Sequence, residues 1–186
     1  MSAALRNTPT TWGHVAKLLH WLGAALILVL LAHGWWMTHL AARTERLQHY
    51  QLHATIGHYL LLILVLRLAW RLGNAVPALP GELPRWRRTA ARGAHWFLYF
   101  LMFFVSISGW MVADTFRQPL ETTLFGFFPV PHLLDASYRP FRGLIEETHA
   151  VSSYVLLTLV AVHFAGALNH HVWQKNNVLR RMWWGA

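Results

Sequence analysis

Four stretches of this chain, residues 18–42, 47–66, 93–113 and 148–174, contain no Asp, Glu, Lys or Arg. Each matches or exceeds the roughly 20 predominantly apolar residues a helix needs to cross the hydrocarbon of a bilayer. Lipid offers the backbone no hydrogen-bonding partner, so a spanning segment satisfies its own amides and carbonyls as a helix. A soluble four-helix bundle would set charge on its outward faces, yet runs such as LLILVL and FLYFLMFFV hold no polar stripe. The pattern predicts an all-α, four-helix transmembrane bundle with helices at about 14–40, 47–72, 90–113 and 144–172. Residues 1–186 are then one integral membrane domain. No small-residue cleavage pattern follows the first span, so it reads as a permanent helix and not a signal peptide.

Composition narrows the chemistry. The chain is 55% hydrophobic and only 12% charged, with a formal net charge of +9, where a soluble domain is about a quarter charged. A basic excess on so apolar a chain is not the polar basic surface of a nucleic-acid binder, and no nucleic-acid partner is expected. Cysteine is absent. That excludes disulfides, thiolate zinc sites, four-cysteine iron–sulfur clusters and thiol nucleophiles.

The basic residues set the orientation. With the N-terminus inside, the inner segments carry Arg6, Lys17, Arg67, Arg71, Arg85, Arg87, Arg88, Arg92, Lys175, Arg180 and Arg181. The outer side holds Arg43, Arg46, Arg117, Arg139 and Arg142. The positive-inside bias then places both termini in the cytoplasm. The inner connection between the second and third helices is short and marked by Pro77, Pro80, Gly81 and Pro84, whereas the outer connection from Asp114 to Arg142 is long. Its run Phe125-Gly126-Phe127-Phe128-Pro129 suggests aromatic packing onto the outer mouth of the bundle.

Ionisable residues at membrane depth are costly and need partners. His14, His39, His49, His132, His170 and His171 fall at or beyond the expected interfaces. A single intramembrane histidine is more often a hydrogen-bonded packing residue than a metal ligand, but four others form a set. His149 and His163 are fourteen residues apart on the fourth helix, hence on nearly one face and about 21 Å apart along the axis. His163 matches His20 in depth, and His149 matches His53. Each pair suits a planar cofactor held edge-on between helices, as imidazoles hold haem iron in bundle cores. Zinc fits less well, since a structural site wants four ligands and each depth offers two. Packing is the expected role of the remaining His33, His58 and His95, although His95 could also meet a haem propionate or a quinone. Arg67 and Arg71 are one turn apart on one face. Two readings stay open for them: bidentate partners of haem propionates, or anchors snorkelling to headgroups.

The chain resembles the bacterial cytochrome b-561 family, small four-helix di-haem membrane proteins, over nearly its whole length. The resemblance is carried by Lys17-Leu18-Leu19-His20-Trp21, by Leu52-His53-Ala54-Thr55-Ile56-Gly57 with the following Arg67 and Arg71, and by Glu147-Thr148-His149 with His163. Most specific is the closing stretch from Ala167-Leu168-Asn169-His170-His171 to Lys175-Asn176-Asn177 and Leu179-Arg180-Arg181-Met182. Asn176 stands where family members often have Asp. The resemblance implies two b haems, the inner ligated by His20 and His163 and the outer by His53 and His149, in a multi-pass protein of the bacterial inner membrane. It also implies electron transfer across that membrane, with superoxide oxidised at the periplasmic face and ubiquinone reduced. Arg43, Arg46, Arg117, Arg139 and Arg142 could steer an anion, but six acidic residues share that side. Two other readings are a cytochrome subunit exchanging electrons between quinone and a periplasmic redox protein or dehydrogenase, and a non-enzymatic haem carrier.

Overall fold

The computed structural model describes residues 5–39, 42, 44–78, 84–175 and 177–184, with Arg87 described in its backbone only. Arg43, Pro80, Gly81, Asn176 and the Arg87 side chain therefore lie outside the described residues. Four long helices dominate: α1 (His14–His39), α2 (Arg46–Leu72), α3 (Arg85–Asp114) and α4 (Arg142–Val172). All four are long and apolar enough to cross a membrane. Their exposed side chains include Leu18, Leu28, Val65, Phe100, Phe104, Val155, Val162 and Phe164, a surface that only lipid solvates cheaply.

Two helices begin earlier than expected, α3 at Arg85 and α4 at Arg142. Charge bars a residue from hydrocarbon, but arginines are good helix formers. The helix therefore continues through its basic turns into the headgroup zone, and α3 stops short only at Pro84, which lacks the N–H a helix interior requires.

Close helix packing runs α1–α2, α2–α3 and α3–α4. A cluster of buried Ile27, Leu30, Leu60, Leu64, Leu98, Tyr99, Leu101, Met102 and Leu156 forms the core. On every helix these residues fall between the two histidine levels, so an apolar layer separates one level from the other. At the inner end three segments are tied together. Asn7 donates to the Ala75 carbonyl (2.8 Å), Arg181 donates to that of Ala78 (2.8 Å), and the Ala78 amide donates to Pro9 (2.9 Å).

The connection from α3 to α4 holds a hairpin of two-residue strands, β1 (Thr123–Leu124) and β2 (Phe128–Pro129), and a 3-10 turn over Ala136–Phe141. Part of it packs as expected: Leu120 is buried, and Phe116 lies against Tyr50 of α2 and under the Arg142 guanidinium. The Phe125 ring meets that of Tyr59 of α2 at 5.6 Å, but Phe125, Phe127 and Phe128 all remain mostly exposed.

The loop is latched at Asp114, which is 2% exposed. Its carboxylate accepts from His132 Nδ1 (2.7 Å) and from the amides of Leu133 (2.7 Å) and Leu134 (3.0 Å). The hydrogen bond to Asp114, backed by the charges of Asp114 and Glu121, holds the His132 pKa above the usual imidazole value. A raised folded-state pKa stabilises the latch fully below the unfolded value near 6.5, and that contribution is lost as pH rises through the folded value. Amide exchange at Leu133 and Leu134, corrected for its intrinsic pH dependence, is expected to quicken across that window and to lose the step in His132→Gln. An unchanged step in the variant would assign the effect to another group.

Candidate functional site

The α1–α2 hairpin is an antiparallel ladder. Trp36 meets His49, the Gly34 backbone meets His53, Gly23 meets Ile63, and His20 meets Arg67. Histidines near the inner end of α1 and the outer end of α2 therefore land at different levels. A second ladder joins α3 to α4, where Gly109 meets His149 and His95 meets His163. Together the ladders bring the four singled-out histidines into two pairs.

At the inner level the rings of His20 and His163 have centroids 6.4 Å apart and planes 68° apart. At the outer level those of His53 and His149 are 6.3 Å apart at 87°. Two imidazoles bound through nitrogen to opposite sides of one metal, at about 2.0 Å each, would have centroids roughly 6.3 Å apart. Both pairs therefore have a centroid separation at which His20 with His163, and His53 with His149, could hold one metal ion between them. Among the described residues no three His, Asp or Glu side chains are grouped as metal ligands, so each level offers a two-imidazole donor set.

The surroundings of the outer pair fit a held group. His149 Nδ1 lies 3.0 Å from the Val105 carbonyl and 3.1 Å from Ser108 Oγ. A carbonyl only accepts, so Nδ1 carries the proton and Nε2 presents its lone pair, the tautomer a metal-binding imidazole needs. Gly34 and Gly109 leave the helix backbones bare where the rings rest. A Cβ at Gly109 would stand 2.8 Å from His149 Cε1, and one at Gly34 would stand 3.2 Å from His53 Cε1. Among the described residues, His53 Nδ1, His33 Nδ1 and His58 Nε2 are buried without a hydrogen-bond partner, a cost that a bound group with polar edges would offset. Between the rings of the outer pair and all four helices lies a largely apolar cavity of about 800 Å³, within the size range of a cofactor site.

Arg67 and Arg71 share a face, as their spacing requires. The Arg67 guanidinium turns inward, donating from Nη2 to His20 Nδ1 (2.8 Å) and sitting 5.3 Å from the Tyr99 ring centroid. Arg71 stacks over Tyr99 (5.7 Å) and Trp96 (5.4 Å). Arg67 thus lies at the inner level beside His20 and does not reach out to the headgroups.

Sequence reasoning assigns His33, His58 and His95 to packing. All three do pack, but against the site. His33 stacks on His53 (5.8 Å, 21°). His58 lines the outer cavity, with its ring edge-on to Trp110 and Nδ1 3.3 Å from Thr122 Oγ1. His95 donates from Nδ1 to Ala91 (2.7 Å) and places its ring 5.3 Å from that of His163. The rotation of His33 relative to His20 along one helix carries no information about His53 on the next. Counting outward from the α1–α2 turn would have found that contact, because antiparallel neighbours are equidistant from their connection. Ser108, Gly34 and Gly109 carry no chemical signal of their own in the sequence.

The chain is similar to known proteins over most of its length. Residues 11–185 match the family described as prokaryotic cytochrome b561. The chain is 34% identical over 182 residues to cytochrome b561 homolog 2 of Escherichia coli strain K12, covering 95% of this chain and 93% of that protein. It is 25% identical over 172 residues to cytochrome b561 homolog 1 of the same strain, covering 88% and 92% respectively.

Proposed function

The chain belongs to the prokaryotic cytochrome b561 family, and from that premise we propose that it holds two b haems, one per histidine level, and carries electrons from superoxide at the periplasmic face to ubiquinone. Family membership and four spanning helices make it a multi-pass b-type cytochrome of the bacterial inner membrane with an electron-transfer role. The finer reading rests above all on one observation, the two imidazole pairs at 6.4 and 6.3 Å.

In this reading His20 and His163 hold the inner haem, and His53 and His149 the outer one. When bound, the haems supply reversible one-electron chemistry, and the protein sets their ligands, burial and access. The Val105 carbonyl keeps the His149 lone pair directed at its site. Gly34 and Gly109 admit the outer rings close to the helix backbones, and the Leu60–Leu64–Leu156 layer keeps water out of the space between levels. Arg67 contributes a half-buried positive charge beside His20. We place both termini in the cytoplasm, a reading supported by the basic N-terminal, α2–α3 and C-terminal segments meeting at one end.

A cation beside a redox centre favours its reduced form. Arg67→Gln is therefore expected to lower one of two midpoint potentials by on the order of 50–100 mV, taking an effective dielectric near 20, and the other, about 20 Å further away, by roughly 30 mV or less. Redox titration of the visible spectrum reads both. Equal shifts at both levels would deny Arg67 its place at the inner one.

The donor and acceptor are tested by stopped-flow spectroscopy of the purified protein. Rapid reduction of the α-band by superoxide, and reoxidation only when ubiquinone is added, is the expected result. Inert haems that are reduced instead by a co-purifying polypeptide would point to a subunit of a dehydrogenase. Indifference to quinone together with reversible haem loss would point to a haem carrier.

A further inference from the structure

We propose that the tip of the β1–β2 hairpin, Phe125 to Phe128, is seated among the acyl chains of the membrane leaflet on its side of the bundle and anchors the α3–α4 connection there. The composition of the segment makes the first case. From Thr122 to Leu134 there is no Asp, Glu, Lys or Arg, a run of polarity unlike that of a loop held in water. At its tip, Phe125, Phe127 and Phe128 are 59%, 67% and 57% exposed. Their rings lean on one another, with centroids 6.5 Å (Phe125–Phe127) and 4.3 Å (Phe127–Phe128) apart. A contiguous apolar patch of this kind marks an interaction surface.

The backbone is built to display it. Residues 124–127 form a turn closed by the Phe127 amide on the Leu124 carbonyl (3.3 Å), with φ of 56° at Phe125 and 77° at Gly126. The left-handed region suits Gly or Asn and is uncommon for a bulky ring. Gly126 meets that demand; Phe125 accepts the less favourable conformation and stays 59% exposed.

Depth identifies lipid as the occupant. The Phe125 amide donates to Tyr59 Oη of α2 (2.7 Å), and the Phe125 ring meets that of Tyr59 edge-on at 5.6 Å. The residue before Tyr59, His58, faces Trp110 of α3 (5.0 Å), whose Nε1 donates to Pro131 of the same loop (3.0 Å). Trp110 lies four residues before Asp114, the first charge at that end of α3, about 6 Å deeper at 1.5 Å per residue. The hairpin thus folds down alongside the helices to a level just inside the hydrocarbon boundary. Aromatic side chains at that level partition into the interface and the upper acyl chains.

The absence of cysteine makes site-directed spin labelling clean. Phe127→Cys, Phe128→Cys and, on the 3-10 turn, Arg139→Cys are each labelled and reconstituted in phosphatidylethanolamine–phosphatidylglycerol vesicles. Collision rates are then measured by power saturation with oxygen, which concentrates in acyl chains, and with a water-soluble nickel chelate. Labels at 127 and 128 are expected to relax more with oxygen than with nickel, the inverse of the label at 139. Nickel-dominated relaxation at both tip sites would stand the tip in water, available to a soluble partner, and overturn the proposal. Shielding from both reagents would mean burial against protein and would overturn it equally. Both positions are exposed, so either variant alone suffices should the other fold poorly.

Discussion

His163→Ala is expected to yield a folded protein that keeps one haem of two, and His53→Ala is expected to lose the other. The physical reason lies in how little of the fold each ring supports. The core that joins the helices, from Ile27 and Leu30 through Leu60 and Leu64 to Leu156, sits between the histidine levels and touches neither substitution. The loss would fall on ligation instead. In the proposed assignment each imidazole pair would hold one haem, and removing one ring would leave that haem with one of its two assigned ligands. A pyridine haemochrome assay on each purified variant is expected to fall to about half the wild-type haem per chain, with the remaining haem still low-spin because its own two imidazoles persist. His95, with its ring 5.3 Å from that of His163, and His33, stacked on His53 at 5.8 Å, are nearby replacements, so the single variants are best read together with His163→Ala/His95→Ala and His53→Ala/His33→Ala. Two haems retained in a single variant and in its double variant would defeat the assignment.

The second large effect belongs to the outer loop. Asp114→Ala removes an acceptor that satisfies the Leu133 and Leu134 amides and the His132 ring at once. Hydrogen bonds to a charged acceptor contribute more than neutral ones, and donors left unpaired carry their own desolvation penalty. The loop is therefore expected to lose about 3 kcal/mol of local stability. At about tenfold per 1.4 kcal/mol, that is roughly a hundredfold faster tryptic cleavage at Arg117, which is followed by Gln118, when opening is fast relative to cutting. Haem content is expected to change far less, since the latch touches neither imidazole pair. Unchanged cleavage would show that Leu120, Phe116 and the hairpin hold the loop without Asp114.

Much of this protein is legible in its amino-acid order. Charge-free runs set four helices in lipid, because hydrocarbon excludes charge and unpaired backbone alike. Fourteen residues between His149 and His163 fix two levels, because helical rise converts sequence distance into depth. Depth, however, is one coordinate. Whether His53 and His149 actually face one another depends on how each helix is rotated about its axis, and that is decided by packing: by Gly34 and Gly109 letting backbones approach the rings, and by Leu64 closing the layer between. The inward turn of Arg67, unlike a snorkelling arginine, is likewise chosen by Tyr99 and His20 across the bundle.

The loop shows the same division. Sequence locates its aromatic run but not its direction, since a hairpin reversal at Phe125–Gly126 and a carboxylate at the end of α3 redirect the chain without altering its composition. What the sequence by itself determined is therefore what each segment must be solvated by and how deep each histidine sits. What only the tertiary structure decided is which side chains meet, because contacts between helices depend on rotations and tilts that no local pattern encodes.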